Sequence, residues 1–116
     1  MPRLTIRIDF DNGDQLGPGK VRLLELVAET GSIRKAAAQM KMSYRKAWLL
    51  LQALENTFQE SLIVTATGGR AGGGARLTPL GARIAALYRG IEAKTLKGSS
   101  TDLRTLEKHT SHKRLR

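Results

Sequence analysis

The residues best suited to chemistry in this chain lie in the run SYRKAWLLLQ, from Ser43 to Gln52. Wind that run as a helix at about 100° per residue with Ala47 facing inward. Tyr44, Ala47, Leu51, Leu54 and Phe58 then gather in one apolar arc, and Trp48 stands at its edge. The opposite face carries Arg45, Leu49, Gln52 and Asn56, with Lys46 beside it. Arginine can donate two hydrogen bonds to guanine O6 and N7, and leucine can lie against a thymine methyl. Ser43 can reach a phosphate or a base edge. Two cations in a first turn oppose the positive end of the helix dipole, at a cost of about 0.3 kcal/mol each or more. A polyanion would reverse that sign. Taken alone, the helix reads equally well as a solvated basic face.

A second group is the glycine-rich TGGRAGGGAR, Thr67 to Arg76. Glycine permits the positive φ angles of a tight tip and close backbone approach to phosphate. The spacing of a Walker loop is missing, because Gly74 is followed by Ala75 and Arg76, and no βαβ unit surrounds the segment. As a hairpin tip it would carry Arg70 and Arg76 to a duplex. Tyr44, Trp48 and Phe58, at helical spacing, are expected in the core and not as a base-stacking set, with Trp48 the exception because its place at the edge of the arc can leave it partly exposed.

Catalysis has little to work with. The only histidines, His109 and His112, lie in a polar C-terminal segment, and there is no cysteine. Disulfides and thiolate metal sites are therefore excluded. Ser43 and Ser61 have no histidine base near them, and no carboxylate pair shares a helix face in the basic middle. No enzyme activity, cofactor or metal is expected.

The elements that must position these residues are legible from periodicity and stop signals. Leu4, Ile6, Ile8 and Phe10 alternate with polar residues, a strand over 3–10. A turn at 11–14 leads through Gly17-Pro18-Gly19 to a helix over 18–29, with Val21, Leu24, Val27 and Ala28 on its inner face and Thr30-Gly31 as its stop. Ser32 caps a helix over 33–40, with Ile33, Ala36, Ala37 and Met40 inward. After Lys41-Met42, Ser43 caps the helix over 44–58. A strand at 62–66, the glycine loop and a return strand at 76–78 form a hairpin. Thr78-Pro79 starts a last helix, ending near Lys94.

Two helices joined by a short turn and followed by a hairpin make a winged helix-turn-helix. The fold class is mainly α with a small β component, and this context tips the basic face toward DNA. Leu80, Ile84, Leu87 and Ile91, spaced four, three and four, form a narrow seam that Tyr88 widens. The seam packs either on the chain's own first helix or on a second copy, and periodicity does not separate the two.

The 116 residues hold 20 basic and 10 acidic side chains, net +10, which calls for a polyanionic partner. Residues 1–40 are nearly balanced, with six basic and five acidic side chains, so the excess begins at the helix pair. Residues 96–116, polar and rich in Ser and Thr, read as a basic, disordered tail behind a domain spanning 1–95. The tail could serve as a phosphate-contacting arm. No apolar run approaches the ~20 residues that span a bilayer, and the N-terminus lacks the apolar core of a signal peptide. A cytoplasmic protein without membrane partners is expected.

The segments Gly31-Ser32-Ile33, Ser43-Tyr44-Arg45-Lys46-Ala47-Trp48, Ala66 to Ala75, and Leu77-Thr78 with Gly81 resemble the DNA-binding domain of the molybdate-responsive, ModE-type regulators. That family is related to the N-terminal domains of LysR-type regulators. The resemblance covers about residues 20–95. It implies a dimeric, sequence-specific transcription regulator of molybdate-transport or molybdenum-cofactor genes, with the 43–58 helix in the major groove and the wing at 67–76 flanking it. The DNA-facing set is then Ser32, Arg34, Lys35, Ser43, Tyr44, Arg45, Lys46, Leu49, Gln52, Arg70 and Arg76. The first and last helices would make a C-terminal dimerisation contact through Leu24, Leu80, Ile84, Leu87, Tyr88 and Ile91. The longer members carry molybdate-binding domains after the winged domain, and only a short polar segment follows Lys94 here. The expectation is a short form that binds no molybdate itself, acting constitutively or through a separate effector-sensing protein. Two other readings compete: a nonspecific basic nucleic-acid-binding protein, and a small oxyanion-binding or adaptor module.

Overall fold

The structure, a computed structural model, describes residues 2–66 and 74–110. The elements run β1 (Ile8–Asp9), β2 (Gln15–Leu16), α1 (Pro18–Thr30), α2 (Ile33–Gln39), α3 (Tyr44–Phe58), β3 (Ile63–Ala66), β4 (Gly74–Leu77) and α4 (Pro79–His109). This is the mainly α winged helix-turn-helix that the sequence predicts, with its helix boundaries met within a residue except at the end of α4.

Helix α1 is the centre of the molecule. Val21, Leu23, Leu24, Leu26 and Val27 are all buried, because α2, α3, α4 and β4 pack around it. Leu23 and Leu26 belong to a second covered face that the predicted stripe omits, and Ala28, placed inward by the sequence reading, is exposed. Ile33, Ala36 and Ala37 from α2, Ala47, Leu51 and Leu54 from α3, and Leu62 complete the core with Ile84, Ala85 and Tyr88 of α4. The four alanines let the helices approach closely.

Gly31 ends α1 in the left-handed region at φ 71°, where a β-carbon would be strained, and its N–H donates to Val27 O at 2.8 Å. Its carbonyl then accepts from Ala75 N at 2.9 Å, tying the base of the β3–β4 hairpin to the helix pair. The turn between α2 and α3 is also short, four residues, with Lys41 left-handed at φ 56° and Met42 N donating to Ala37 O at 3.0 Å.

The N-terminal segment departs from expectation. Its inward–outward alternation is present, but only Ile8–Asp9 is a strand, paired antiparallel with Gln15–Leu16. Gly17-Pro18 turns the chain into α1 directly after Leu16, so the hairpin partner has no more residues to offer. The segment upstream of β1 is held differently: the buried Tyr88 hydroxyl donates to Ile6 O at 2.7 Å. Tyr88→Phe leaves that carbonyl without its donor. The expected result is a loss of about 1–2 kcal/mol in urea unfolding, with faster amide exchange over 4–8 than in the parent.

A cluster of charges joins α1 to α4. Arg89 donates to both Glu25 oxygens, at 2.9 and 3.0 Å, and to Glu92 at 2.9 Å, while Arg22 donates to Glu25 at 3.3 Å and Glu29 at 3.0 Å. The Arg89 hydrogen bonds hold the Glu25 carboxyl below the ordinary carboxylate range, against the opposing pull of partial burial. A depressed folded pKa means stability that is full above the unfolded value and is lost as pH falls through the folded one. Glu25→Gln should therefore be less stable than the parent at neutral pH and converge with it in acid, in denaturation midpoints taken from about pH 7 to pH 2.

The end of α4 corrects the predicted tail. The helix does not stop near Lys94 but continues to His109. Past Tyr88 no described residue of α4 is buried. The hydroxyls that suggested disorder fold back onto the helix's own carbonyls: Thr95 to Ile91 O, Ser99 to Thr95 O and Thr105 to Thr101 O, at 2.7, 2.7 and 3.1 Å. Interspersed Leu, Lys, Arg and Glu are good helix formers, and Lys108 and His109 suit the negative end of the dipole.

Candidate nucleic-acid interface

The helix pair presents one exposed basic face. Ser32 caps α2 by accepting from Lys35 N at 3.0 Å, and Ser43 caps α3 by accepting from Lys46 N at 3.0 Å. Each serine hydroxyl keeps its own proton to donate outward. Neither helix has an acidic residue in its first turn. Two helix starts, with their unpaired N–H groups, are thus flanked only by cations, an arrangement suited to phosphate.

Helix α3 separates its two faces as the wheel predicts. Ala47, Leu51 and Leu54 are buried, whereas Arg45, Lys46, Leu49, Gln52 and Asn56 are exposed. Leu49 is 51% exposed, unusual for a leucine in a helix that has a core to join. Among the described residues, Arg45 and Gln52 have no side-chain partner in the fold, so their donors point to solvent and are free to bind.

Tyr44 corrects the predicted apolar arc. It is 39% exposed, and the Arg34 guanidinium lies 4.4 Å from its ring centroid. Tyr44 in turn meets Trp48 edge to face at 6.3 Å. Arg34, Tyr44 and Trp48 form a ladder across the α2–α3 corner, holding Arg34 in place beside Lys35. Phe58 and Trp48 are half-buried, and Phe58 meets Phe10 edge to face at 5.8 Å. The core reading holds for Phe58, fits Trp48 in part and fails for Tyr44, whose ring is faced by the Arg34 guanidinium and not by an apolar side chain of α2.

The wing is an antiparallel hairpin in which Val64 pairs with Arg76 and Ala66 with Gly74. Arg76 is exposed on β4. Arg70 lies outside the described residues. Two contacts that sequence reasoning missed set the wing's angle. One is the Ala75–Gly31 bond. The other is the Glu55 carboxylate, which accepts from Leu62 N at 2.9 Å and Ile63 N at 3.2 Å. Nothing in the sequence marks Glu55 for this task; its place on α3 beside Trp48 decides it. Lys41 adds a cation to the same side-chain set. It is exposed in the α2–α3 turn, and its charge between two capped helices was the available signal.

The predicted dimer set divides. Leu24, Ile84 and Tyr88 are covered by the chain's own core, so they offer no area to a second copy. Leu80 is half-buried against the same core. Leu87 and Ile91, at 51% and 43% exposure, remain on the outer face of α4. The seam thus packs inward on α1 along one edge and stays open along the other. Among the described residues, no group of three or more His, Asp or Glu could hold a metal, and no helix is long and apolar enough to cross a membrane.

Comparison with known proteins agrees with this geometry. The chain is 42% identical over 85 residues to the molybdenum transport protein ModE of Azotobacter vinelandii, a stretch covering 73% of this chain and 32% of that one. It has the same identity and coverage against the molybdenum-pterin-binding protein MopB of Rhodobacter capsulatus. Against the DNA-binding transcriptional dual regulator ModE of Escherichia coli K12 it is 38% identical over 71 residues, 61% of this chain and 27% of that one. The chain spans about a third of the length of the first two relatives, 32%. Residues 19–82, from the start of α1 into α4, match the bacterial regulatory helix-turn-helix proteins of the lysR family. That match runs through every element of the basic face, and the chain belongs to this family.

Proposed function

We propose that the chain is a sequence-specific transcription regulator that binds double-stranded DNA as a homodimer. Helix α3 enters the major groove, and the wing around 67–76 flanks the backbone and minor groove. The observation that carries this reading is the outer face of α3, where Arg45, Leu49 and Gln52 stand exposed and uncommitted above a buried Ala47, Leu51 and Leu54. Arg45 reads guanine, Gln52 suits the N6/N7 edge of adenine, and Leu49 meets a thymine methyl. Ser32, Arg34, Lys35, Ser43 and Lys46 supply phosphate contacts that set register without reading sequence. Leu87 and Ile91 supply the open face for a second copy, which doubles these contacts and suits a palindromic site. The names of the relatives favour molybdate-transport or molybdenum-cofactor genes as targets.

Capture of genomic fragments followed by competition with random duplex at about 0.15 M salt tests the reading. Specific binding should exceed nonspecific by about 10³-fold or more. Equal affinity for all sequences overturns it in favour of a nonspecific basic protein.

A further inference from the structure

Beside α3, on the flank away from the wing, lies a groove of about 560 Å³ that the duplex reading touches only through Lys46. Ile6, Met42 and Leu50 form its apolar floor, and all three are half-buried against the core. Arg7, Lys20 and Lys46 stand on its rim, and no carboxylate lines it. Arg7 is already paired with Asp9 at 2.9 Å, and Lys20 Nζ donates to the Gln15 carbonyl at 3.2 Å. Lys46 has no ion-pair partner among the described residues. The start of α1 forms one wall, with Gly17 as an N-cap that offers no side-chain hydrogen bond and no acid in the first turn.

From this charge and shape we infer that the groove is a ligand site for a small organic anion, an aromatic or short aliphatic acid whose apolar body rests on Ile6, Met42 and Leu50. Its acidic head meets Lys46 and Lys20. The volume is that of small-molecule sites, and a few polar groups over an apolar floor is their usual makeup. A purely inorganic oxyanion would leave the floor wet, and an uncharged apolar molecule would leave the cations unanswered. Lys46 belongs to both the groove and the proposed DNA face, so an occupied groove takes a phosphate contact from the duplex. This coupling rests on the duplex reading; binding in the groove does not.

The probe is 8-anilinonaphthalene-1-sulfonate, followed by its fluorescence on the full chain. We expect a saturable, single-site rise that 4-phenylbutyrate reverses and acetate or 4-phenylbutylamine does not. Lys46→Gln and Lys20→Gln, which alter charge at exposed or half-buried positions without touching the core, should each weaken binding about tenfold, the loss of one charge-assisted contact. Arg104→Gln, far along α4, should leave the titration unchanged. A rise that does not saturate, or that is indifferent to the two lysine variants, overturns the site. Displacement by polyglutamate as readily as by 4-phenylbutyrate would give the groove to an acidic protein and overturn the small-ligand assignment. Bound probe with unaltered duplex affinity would overturn the coupling alone.

Discussion

Replacing Arg45 by alanine is expected to weaken binding to the preferred operator by about 1–3 kcal/mol, roughly five- to 150-fold, and to relax discrimination at a single base position. The side chain is exposed on the outer face of α3 and its removal leaves Ala47, Leu51 and Leu54 in place, so the fold should be untouched. Random duplex should lose far less, because it offers no matched guanine edge to be forfeited. The measurement is fluorescence anisotropy on operator and scrambled duplexes across a salt series. A base contact lowers specific affinity with little change in salt slope. A phosphate contact lowers both affinities alike and reduces the slope by about one. Equal losses would make Arg45 a phosphate ligand and transfer the reading of the groove to Gln52 and Leu49. Lys35→Ala provides the contrast, since its place at the start of α2 predicts the phosphate pattern.

Gly81→Ala should be the most damaging small substitution in the fold. A β-carbon at Gly81 would run into the Leu62 carbonyl oxygen and sit 3.2 Å from its carbon, and the obstruction is backbone, which cannot rotate away. The same Leu62 oxygen accepts from Thr78 N at 2.9 Å, Thr78 Oγ1 donates to Ser61 O at 2.9 Å, and Gly81 N donates to Thr78 Oγ1 at 3.0 Å. Relief requires α4 to move off the loop before β3, breaking the two bonds from Thr78 to Leu62 and Ser61. Overpacking costs about 1–3 kcal/mol and each lost hydrogen bond about 0.5–1.5. The better helix propensity of alanine returns about 1 kcal/mol. The expected net loss is about 3 kcal/mol, or about 12 °C in melting temperature for a domain of this size. Gly98→Ala, where a β-carbon meets nothing within 4 Å, should be neutral or stabilising. A Gly81→Ala protein that melts with the parent would mean the approach of α4 to Leu62 is not as close as described.

Local signals in the chain determined much of this protein without help. Ser32 and Ser43 are caps because a hydroxyl beside a free N–H stabilises a helix start wherever the helix goes. Pro79 follows Thr78 for the same local reason. The split of α3 into a buried Ala47–Leu51–Leu54 stripe and an exposed Arg45–Leu49–Gln52 face is set by 3.6-residue periodicity alone. What periodicity lacks is the identity of the surface that an apolar face meets. Leu24, Ile84 and Tyr88 follow the same pattern whether α4 packs on α1 or on another chain, and only the assembled core, with α1 surrounded by the other helices, shows them taken. Tyr44 reads as core on a wheel and is exposed, its ring met by the Arg34 guanidinium of α2 and not by the core. Glu55 reaches Leu62 and Ile63 across the loop that follows α3, and Gly81 meets Leu62 from the other side of the hairpin, approaches that no periodic pattern encodes. Residues 95–109 are helical through helix formers such as Leu, Lys, Arg and Glu, with the Ser and Thr hydroxyls satisfied on the helix's own carbonyls, a choice composition leaves open. Short-range hydrogen bonding and periodicity act within a few residues and are written in order along the chain; burial, wing angle and the groove beside Lys46 arise from contacts between distant segments and exist only once the helices have packed.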